Sequence, residues 1–565
     1  MSNIFRRKSL ESIQEEASNS KLKRTLGVFE LTMFGIGAII GTGIFVLTGK
    51  AAAGTPDALG AGPGLTISFI ITGIACAFAA LCYAEFASMV PISGSAYTYA
   101  YSSFGELLAW IIGWDLILEY AVGTVAVAIG WSGYFKNFLE GVGIHLPPEI
   151  SAATGTKLVQ LPTGQWTEIT SEITSKYGSQ LANFDTTSAL FNLPAFVITA
   201  LITILLIVGI KESARFNAGL VVVKLILISI FLYYGFQHFN PTVYWHPFAP
   251  NGWNGIMSGA ALVFFAYVGF DAVSTTAEET KNPQRDLPRG MILALLLCTI
   301  LYIVVSGVLT GMVSLGVLSN AHPVAAALTS VGESNASLII SIGVTFTIPT
   351  VLLVMLMGQI RVLYSMSRDG LIGSKFSGVH PKFKTPAFAT ILVGSIVAII
   401  ASTIDIGAAA ELTNIGTLFA FILVAIGIWI LRVKRPEIER KFKTPAYKFV
   451  CICCVLICGY LMYSLPYVTW LRFIIWMILG LIIYDAYGIK NSKLTDNTFD
   501  LKSLNTMYYT GIALGAFLVA FAVFHEIIVR KGADISLLFK VSIAIGIIDI
   551  LYFVYKIAKN KKIQS

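Results

Sequence analysis

Four glycines in nine residues interrupt an apolar stretch near the start of the chain, at positions 34–46. With its flanks the stretch is long enough to cross a membrane as a helix, but each glycine costs about 1 kcal/mol of helix stability relative to alanine. A membrane helix that breaks is tolerated only where it is buried in protein or lines a polar cavity. A break at Gly41, Thr42 and Gly43 would leave free carbonyl groups on one half and free amide groups on the other, equivalent to about half a negative and half a positive charge. The stretch therefore predicts an intramembrane binding site for a zwitterion.

One other interpretation of these glycines stays open. Gly37 and Gly41 have the spacing of small residues at which two membrane helices pack closely. Nucleotide-binding loops do not fit, because Ile40 stands where a dinucleotide motif needs its third glycine and Ala51 where a phosphate-binding loop needs Ser or Thr. Close helix packing is thus the remaining alternative to a binding site.

Ionisable side chains also fall inside apolar stretches, namely Lys224, Glu119 and Asp271. A lysine at the centre of a membrane helix costs about 2.5 to 3.5 kcal/mol, and such residues usually face the protein interior and serve ion or proton movement. Lys224 is therefore a candidate for proton coupling, with snorkelling of its amine to the inner membrane surface as the alternative. For the two carboxylates the alternative is a structural hydrogen bond. We interpret three further carboxylates as structural or interfacial groups: Asp115, Asp485 and Asp549.

The composition indicates an integral membrane protein. Of the 565 residues, 56% are hydrophobic and 12% are charged, and the mean hydropathy is +0.77, which lies outside the range of soluble globular proteins. Apolar windows of about 20 residues, the length that crosses a bilayer, recur about fourteen times from residue 28 almost to the C-terminus. The first 27 residues have neither the apolar core nor the cleavage site of a signal peptide. We therefore expect the first apolar segment to be retained.

The distribution of basic residues predicts the orientation. The net charge is +8, and most Lys and Arg residues fall on one side of the membrane if both termini lie on that side. The stretch 432–448 carries seven basic residues, whereas 313–338 carries none. Because basic loops face the cytoplasm, we expect both termini there and the protein in the plasma membrane. This clustering in loops also argues against nucleic acid as a partner.

A second apolar stretch, 259–271, repeats the pattern of an interrupted helix, because it meets Gly269 and Asp271 at mid-depth. With the predicted orientation, span 1 runs outward and span 6 runs inward. Two interrupted helices, five spans apart and oppositely directed, predict an inverted five-plus-five repeat with the substrate at the repeat interface. The predicted units in chain order are a cytoplasmic tail, 1–27; the first repeat with spans 1–5, 28–237, including an outer loop, 140–188; the second repeat with spans 6–10, 240–432; spans 11–12, 447–487; spans 13–14, 507–555; and a cytoplasmic tail, 556–565.

Neither the cysteines nor the histidines form a metal or catalytic motif. The seven cysteines lie in apolar spans, and the group from Cys451 to Cys458 has no histidine or carboxylate in the adjacent sequence. The six histidines are scattered and lack the spacing of a metalloprotease motif. We therefore expect no metal, no cofactor and no enzymatic activity.

Four stretches give the chain a resemblance to a known family: 35–49, 209–217, 264–290 and 361–370. The chain resembles the amino acid-polyamine-organocation superfamily, in its cationic amino acid transporter branch, over nearly its whole length. The third stretch is the most specific. The resemblance implies an all-α integral membrane protein with the LeuT-type five-plus-five inverted repeat, four additional C-terminal spans, about 14 transmembrane helices and both termini cytoplasmic.

The resemblance also implies where the two ends of a substrate bind. The carboxylate would lie on the backbone amides of Gly41, Thr42 and Gly43. The ammonium group would meet the backbone carbonyls of Ile39, Ile40, Phe265, Ala266 and Val268. Backbone dipoles can receive both ends of a zwitterion without charged side chains. The Phe265 ring would cover the pocket as a gate, with a plain core aromatic as the alternative.

Four other side chains receive roles from the resemblance. Lys224 would stand in for a sodium ion beside spans 1 and 8 and would couple transport to a proton. Glu119 and Asp271 would lie near the far end of the substrate, where they could meet a cationic side chain. Met355 would border the pocket and favour small or neutral amino acids over arginine or lysine, with plain packing as the alternative.

We therefore predict a secondary active amino acid transporter, a proton symporter of the plasma membrane that works by alternating access. Its partners would be an amino acid, protons and the lipid bilayer, and a small membrane subunit stays open. An exchanger or a facilitator for cationic amino acids is the alternative within the same class. An amino acid sensor or a channel is the alternative from another class, although no ring-forming filter motif is present.

Overall fold

A computed structural model shows a protein built mainly of helices. The residues it describes are 4, 6–7, 24–55, 58–89, 95–162, 164, 166–169, 173–174, 177–209, 214–494, 501–529 and 537–564. Most of the predicted N-terminal tail and the centre of the 209–217 stretch lie outside the described residues.

The α-helices are named in chain order. Their bounds are α1 Val28–Ile39, α2 Thr48–Ala53, α3 Leu65–Met89, α4 Ser95–Ser103, α5 Glu106–Gly141, α6 Leu193–Val208, α7 Ala214–Gln237, α8 Pro241–Tyr244, α9 Gly252–Val263, α10 Pro283–Met312, α11 Leu315–Leu318, α12 Pro323–Ser330, α13 Ser334–Thr347, α14 Pro349–Arg368, α15 Ala387–Ala401, α16 Ile406–Lys434, α17 Tyr447–Tyr463, α18 Tyr467–Ile483, α19 Ile489–Asn491, α20 Leu501–Phe524 and α21 Leu537–Gln564. The longest shared packing surfaces join α3 with α10, α5 with α16, and α20 with α21.

Within the described residues, eleven helical segments are long and apolar enough to cross a bilayer. Three further apolar helices, α6, α15 and α17, have only 10–17 residues, fewer than the about 20 that cross the hydrocarbon core. They lie where spans 4, 9 and 11 are predicted. The predicted total number of spans therefore stays a prediction.

The segment 140–188, predicted as an outer loop, corrects the all-α expectation. It contains a three-stranded antiparallel sheet in the order β2-β1-β3, with bounds β1 Lys157–Gln160, β2 Trp166–Glu168 and β3 Thr186–Ser188. Leu158 and Val159 of the central strand are fully buried, and Leu158 is part of a small apolar cluster. β-branched and aromatic residues suit such a half-buried surface, but they are too sparse here to distinguish these short strands from a polar loop.

The basic stretch 432–448 folds back onto the C-terminal end of α3. Glu85 of α3 is fully buried and accepts hydrogen bonds from Nε and Nη2 of Arg432 at 2.7 and 2.8 Å and from the Thr444 amide at 2.8 Å. Arg440 Nε lies 3.2 Å from the same carboxylate. Because removing one partner of a buried ion pair costs several kcal/mol, this cluster fixes the loop against α3 and α16.

Asp485, in the turn after α18, connects the last two helices to the rest of the protein. Its carboxylate accepts hydrogen bonds from the hydroxyls of Tyr508 of α20 and Tyr552 of α21, at 2.9 and 2.7 Å, and pairs with Lys556. These contacts agree with the structural role expected of Asp485. They give α20 and α21 a polar attachment to α18 in addition to apolar packing.

The segments 28–53 and 252–274 are more fully enclosed by protein than the other candidate spans of the described chain. Both are interrupted helices. Irregular backbone at membrane depth is stable only when protein surrounds it or when it lines a cavity. The fold thus places its two least regular helices at its centre.

Candidate functional site

The first central segment is interrupted between α1 and α2, in the glycine-rich stretch. α1 ends at Ile39, Ile40 has an extended backbone with φ −74° and ψ 99°, and a π-helical turn, Gly43–Leu47, leads into α2. The last carbonyls of one helix and the first amides of the next have no helical partners. The predicted carboxylate site lies in this interruption.

The second interruption follows α9. One 3-10 turn, Phe264–Tyr267, is followed by Val268 in an extended conformation with ψ 130° and then by Gly269 with φ 112°. A second 3-10 segment, Phe270–Glu279, continues toward α10. Glycine adopts this positive φ without the steric cost that a side chain would bring, so Gly269 permits the chain to change direction here.

The two interruptions lie against each other. A Cβ atom built on Gly43 would be 2.3 Å from the Cα of Ala266, and one built on Gly269 would be 3.1 Å from the carbonyl oxygen of Ala38. The first distance is shorter than any real Cβ contact, so Gly43 allows two backbones to approach each other. The two interruptions therefore share one interface, at which Gly43 packs on Ala266 and Gly269 packs on Ala38.

The close-packing interpretation of Gly37 and Gly41 also describes the structure. A Cβ on Gly37 would be 2.9 Å from the Val221 side chain of α7, and one on Gly41 would be 3.2 Å from Val351 of α14. Close packing and helix interruption are thus not alternatives in this protein. The same glycines do both.

Lys224 of α7 lies at the first interruption. Its side chain is 1% exposed, and its Nζ donates hydrogen bonds to the carbonyl oxygens of Gly37 at 2.8 Å and Ile40 at 2.7 Å. The carbonyl end of a helix attracts positive charge, so the amine is at a place where a cation is stabilised. Snorkelling would put the amine at the membrane surface and does not describe this arrangement.

Tyr302 of α10 also reaches the interruptions, and sequence reasoning did not identify it. Its hydroxyl oxygen is 2.8 Å from the carbonyl oxygen of Ile39 and 3.1 Å from that of Ala266. The side chain is fully buried. A buried tyrosine in an apolar helix is an ordinary core residue that needs one hydrogen-bond partner, so no sequence signal separates Tyr302 from other core tyrosines.

The carbonyls predicted to receive an ammonium group thus already have partners in several cases. Lys224 and Tyr302 bind three of them, and the Phe265 carbonyl accepts a hydrogen bond from the Val268 amide at 3.2 Å. A carbonyl oxygen has two lone pairs, so these oxygens retain capacity for a further donor. The Phe265 side chain is 3% exposed and belongs to the core, and its function as a gate stays a prediction.

Thr42 has a buried hydroxyl with no hydrogen-bond partner in the described part of the chain. Its methyl group packs on Gly130 of α5, where a Cβ would be only 2.0 Å away. A buried hydroxyl without a partner costs about 1–3 kcal/mol. An unpaired hydroxyl beside unpaired amides is a position at which a polar ligand would be stabilised.

Met355 connects the first interruption with α5. Val351, one turn earlier on α14, contacts Gly41, while the Met355 sulfur is 3.1 Å from the position of a Cβ on Gly123. Residues four positions apart share one face of a helix. Met355 therefore lies on the face of α14 that meets the interruption, and its contact with a substrate stays a prediction.

The carboxylates of Glu119 and Asp271 are buried, and the Tyr120 hydroxyl donates to Asp271 at 3.3 Å. Glu119 is within electrostatic range of both Asp271 and Asp115. On α5, Glu119 precedes Gly130 by eleven residues, or about 16 Å. Glu119 thus lies away from the contact between Gly130 and the first interruption, whereas Asp271 is in the second interruption, two residues after Gly269. Among the described residues, no group of three or more His, Cys, Asp or Glu side chains is arranged to hold a metal ion.

Comparisons with known proteins identify the family of the chain. Residues 26–484 match the family model described as amino acid permease. The branched-chain amino acid permease BcaP of Bacillus subtilis (strain 168) is 48% identical over 493 residues, which cover 87% of this chain and 99% of that protein. The methylthioribose transporter of the same organism is 46% identical over 494 residues, with 87% and 100% covered. The vacuolar cationic amino acid transporter 4 of Arabidopsis thaliana is 34% identical over 450 residues, with 77% and 68% covered.

Proposed function

Since this chain belongs to the amino acid permease family of the amino acid-polyamine-organocation superfamily, we propose that it is a proton-coupled symporter of neutral amino acids that works by alternating access. Its relatives are membrane transporters, so the protein is a transporter and not an enzyme. The proposal concerns the substrate, the coupling ion and the arrangement of the spans.

The observation that carries the proposal is the contact between the two interrupted helices. The amides of Gly41, Thr42 and Gly43 would bind the substrate carboxylate, because the start of a helix favours negative charge. The carbonyls of the second interruption lie across the Gly43 contact with Ala266 and would receive the ammonium group. This pairing of dipoles binds the two groups that all amino acids share and leaves the side chain to be selected elsewhere.

Lys224 supports protons rather than sodium as the coupling ion. Its amine occupies the carbonyls of Gly37 and Ile40, at a helix end that would otherwise favour a metal cation. A charged amine attracts these carbonyls more strongly than a neutral one, since charge-assisted hydrogen bonds are the stronger kind. Gain and loss of one proton at Lys224 would therefore change the stability of the interruption during each cycle.

The position of Met355 supports a neutral substrate. Met355 lies on the α14 face beside the first interruption, and its sulfur packs on Gly123 of α5, one turn from Glu119. There it would narrow the space between the first interruption and the acidic cluster of Glu119 and Asp271. A relative that is a branched-chain amino acid permease is 48% identical, and we propose substrates of that size or smaller. A cationic substrate that reaches Glu119 and Asp271 is the alternative.

We also propose the LeuT-type arrangement, with repeats at 28–237 and 240–432, further spans at 447–487 and 507–555, and both termini in the cytoplasm at the plasma membrane. Support comes from contacts between the N-terminal segment and helix ends that this arrangement places on the cytoplasmic side of the membrane. Arg6 binds the Glu106 carboxylate at 2.8 Å and the Leu494 carbonyl at 3.0 Å. The Leu26 amide binds the Glu279 carbonyl at 3.0 Å.

Uptake into proteoliposomes tests this function. The panel would contain labelled leucine, alanine, arginine and methylthioribose, each with an inward proton gradient and then with a sodium gradient. We expect saturable and stereoselective accumulation of leucine or alanine that depends on the proton gradient. Arginine uptake should be at least about tenfold slower, because its charged end would be left without a partner in a buried site.

Other results would contradict specific parts of the proposal. Sodium-dependent uptake would contradict the proposed function of Lys224 in proton coupling. Arginine uptake at the rate of alanine would contradict the proposed function of Met355 in selecting neutral substrates. Counterflow without net accumulation would indicate an exchanger, and flux that does not saturate would indicate a channel. Binding without uptake would indicate a sensor, and uptake of methylthioribose alone would reject the ammonium site.

A further inference from the structure

Tyr302 connects the two interruptions through a single hydroxyl group. It belongs to α10, which contributes none of the site residues predicted from the sequence. Its hydroxyl contacts the carbonyl of Ile39 on one side and that of Ala266 on the other. Its ring is fixed by two aromatic neighbours, Phe69 and Tyr267, each with a centroid distance of 5.4 Å. The position of the hydroxyl is therefore determined by packing.

The two carbonyl oxygens have the spacing that an ammonium group needs. Both lie within hydrogen-bond distance of the same hydroxyl oxygen, so they are no more than about 6 Å apart. The hydroxyl has one proton and donates to one of them at a time. An ammonium group has three donors and can bridge two oxygens at this separation with bonds of about 2.9 Å.

Lys224 and Tyr302 bind different carbonyls, and this difference also favours the Ile39 and Ala266 oxygens as the ligands of the ammonium group. Lys224 brings a charged amine to the carbonyls of Gly37 and Ile40, and a second cation close to that amine would be repelled. Tyr302 brings a neutral donor to the carbonyls of Ile39 and Ala266. The donor to these two oxygens is a hydroxyl group, which carries no positive charge.

We propose that Tyr302 is a positioning residue for the ammonium group of the substrate. It holds the carbonyls of Ile39 and Ala266 at the separation that one ammonium group bridges, and each carbonyl keeps a lone pair for that group. This inference rests on the proposed transport of an amino acid. A substrate bound in this way connects the two interrupted helices, so both would move together when the transporter changes conformation.

Tyr302→Phe tests the proposal, with Tyr467→Phe as the control. The Tyr467 hydroxyl also donates to a backbone carbonyl, that of Phe521 at 3.1 Å, but it joins α18 to α20 and lies outside both interruptions. The measurements are KM and kcat for the transported amino acid and the inhibition constant of its α-hydroxy acid, which has a hydroxyl in place of the ammonium group. We expect Y302F to raise KM about fivefold to tenfold, with kcat and the α-hydroxy acid constant within about twofold of wild type. Y467F should change none of the three by more than that.

Each contrary outcome overturns the inference. An equal rise of KM in both variants, or no rise in Y302F, would show that the hydroxyl does not position the substrate. An equal loss of affinity for the amino acid and its α-hydroxy acid would show a general structural effect. If Y302F cannot be purified while Y467F can, the Tyr302 hydroxyl stabilises the fold instead. If the α-hydroxy acid inhibits neither protein, the KM comparison decides. Wild-type uptake of the amino acid tests the proposed function separately, so failure of one is distinguishable from failure of the other.

Discussion

Lys224→Met would remove the amine that binds the carbonyls of Gly37 and Ile40 while keeping most of the aliphatic chain. We expect this variant to lose proton-driven accumulation of the amino acid by at least about tenfold, the effect of about 1.4 kcal/mol. Exchange of labelled for unlabelled amino acid should continue, because exchange needs alternating access but no net proton movement. Accumulation and counterflow in the same proteoliposomes measure the two processes.

Lys136→Met is the matched control for this prediction. Lys136 is also a lysine in a candidate membrane helix, but among the described residues the contacts of its amine are long, 3.5 Å to the Trp166 carbonyl and 4.0 Å to Glu140. Its replacement should leave accumulation and counterflow near wild type. Full proton-driven accumulation by Lys224→Met would show that another group couples transport to the proton, with the acidic cluster around Glu119 as the next candidate.

Lys224 and Tyr302 show which site residues the sequence can reveal. A charge in an apolar run is visible in the sequence because it costs free energy in the membrane unless it has a specific partner. Tyr302 contacts the same interruption, yet nothing in its own stretch distinguishes it from other buried tyrosines. Its function depends on how α10 packs against α1 and α9. That packing exists only in three dimensions.

Among the structural elements, the two interrupted helices depend on a single glycine for their closest contact. Gly43→Ala would place a methyl group 2.3 Å from the Cα of Ala266, and a backbone cannot move aside as a flexible side chain can. The interruptions must then separate, so we expect KM to rise by more than about tenfold and the melting temperature to fall by several degrees, as for overpacking of about 1–3 kcal/mol. Uptake kinetics and thermal unfolding of the purified protein measure both effects.

Gly219→Ala provides the control at the level of the helix. Gly219 lies in α7, and a Cβ there would meet no atom within 4 Å. Alanine should therefore leave KM unchanged and stabilise the helix by up to about 1 kcal/mol. A Gly43→Ala protein with wild-type KM would mean that the close contact between the interruptions is not needed for binding.

The elements differ in how far sequence reasoning predicts them. The interruption near Gly41 is predictable because glycine disfavours helix directly, and Gly269 marks the second interruption for the same reason. The three strands between Lys157 and Ser188 were not predicted, because their cohesion comes from a few buried residues such as Leu158. Local propensity decided the first case and tertiary packing the second.

For the molecule as a whole, the proposed alternating access requires the α2 end of the first interrupted segment, which the proposed orientation puts on the outside, to move away from its neighbours. Lys50 of α2 binds Asp405 at 2.6 Å, and Asp405 also caps the start of α16 through the Gly407 amide. Such a partly exposed ion pair contributes only about 0.2–1 kcal/mol. That is small enough for the contact to break in each transport cycle.

This outer ion pair does not supply the proposed proton dependence. Burial opposes ionisation of Asp405, but Lys50 and the backbone amides of Gly407 and Ile406 lower its pKa below the ordinary value of 3.8. A carboxylate with a lowered pKa contributes its stability above the ordinary pKa and loses it only as the pH falls through the lowered value. Burial likewise lowers the pKa of His322 to about 4. Between about pH 5 and pH 8 the charges of both groups stay constant, so neither Asp405 nor His322 would supply the proposed proton dependence.

Lys50→Gln and Asp405→Asn should each favour the conformation that is open to the outside. A cysteine introduced by Ala52→Cys would report it, because Ala52 is fully buried on the same short helix and six of the seven native cysteines are buried. We expect each variant to raise the labelling rate of this cysteine by a membrane-impermeant maleimide about twofold to fivefold. The double variant Lys50→Asp, Asp405→Lys should restore the slower rate. The ratio of each variant's rate to the parent rate, measured at the same pH, should not change between about pH 5 and pH 8, because the reactive thiolate fraction of the introduced cysteine changes with pH in the same way in all the proteins. Equal labelling in all four proteins would show that the pair does not hold this end closed, whereas a ratio that changes toward pH 5 would place a titrating group in the closure itself.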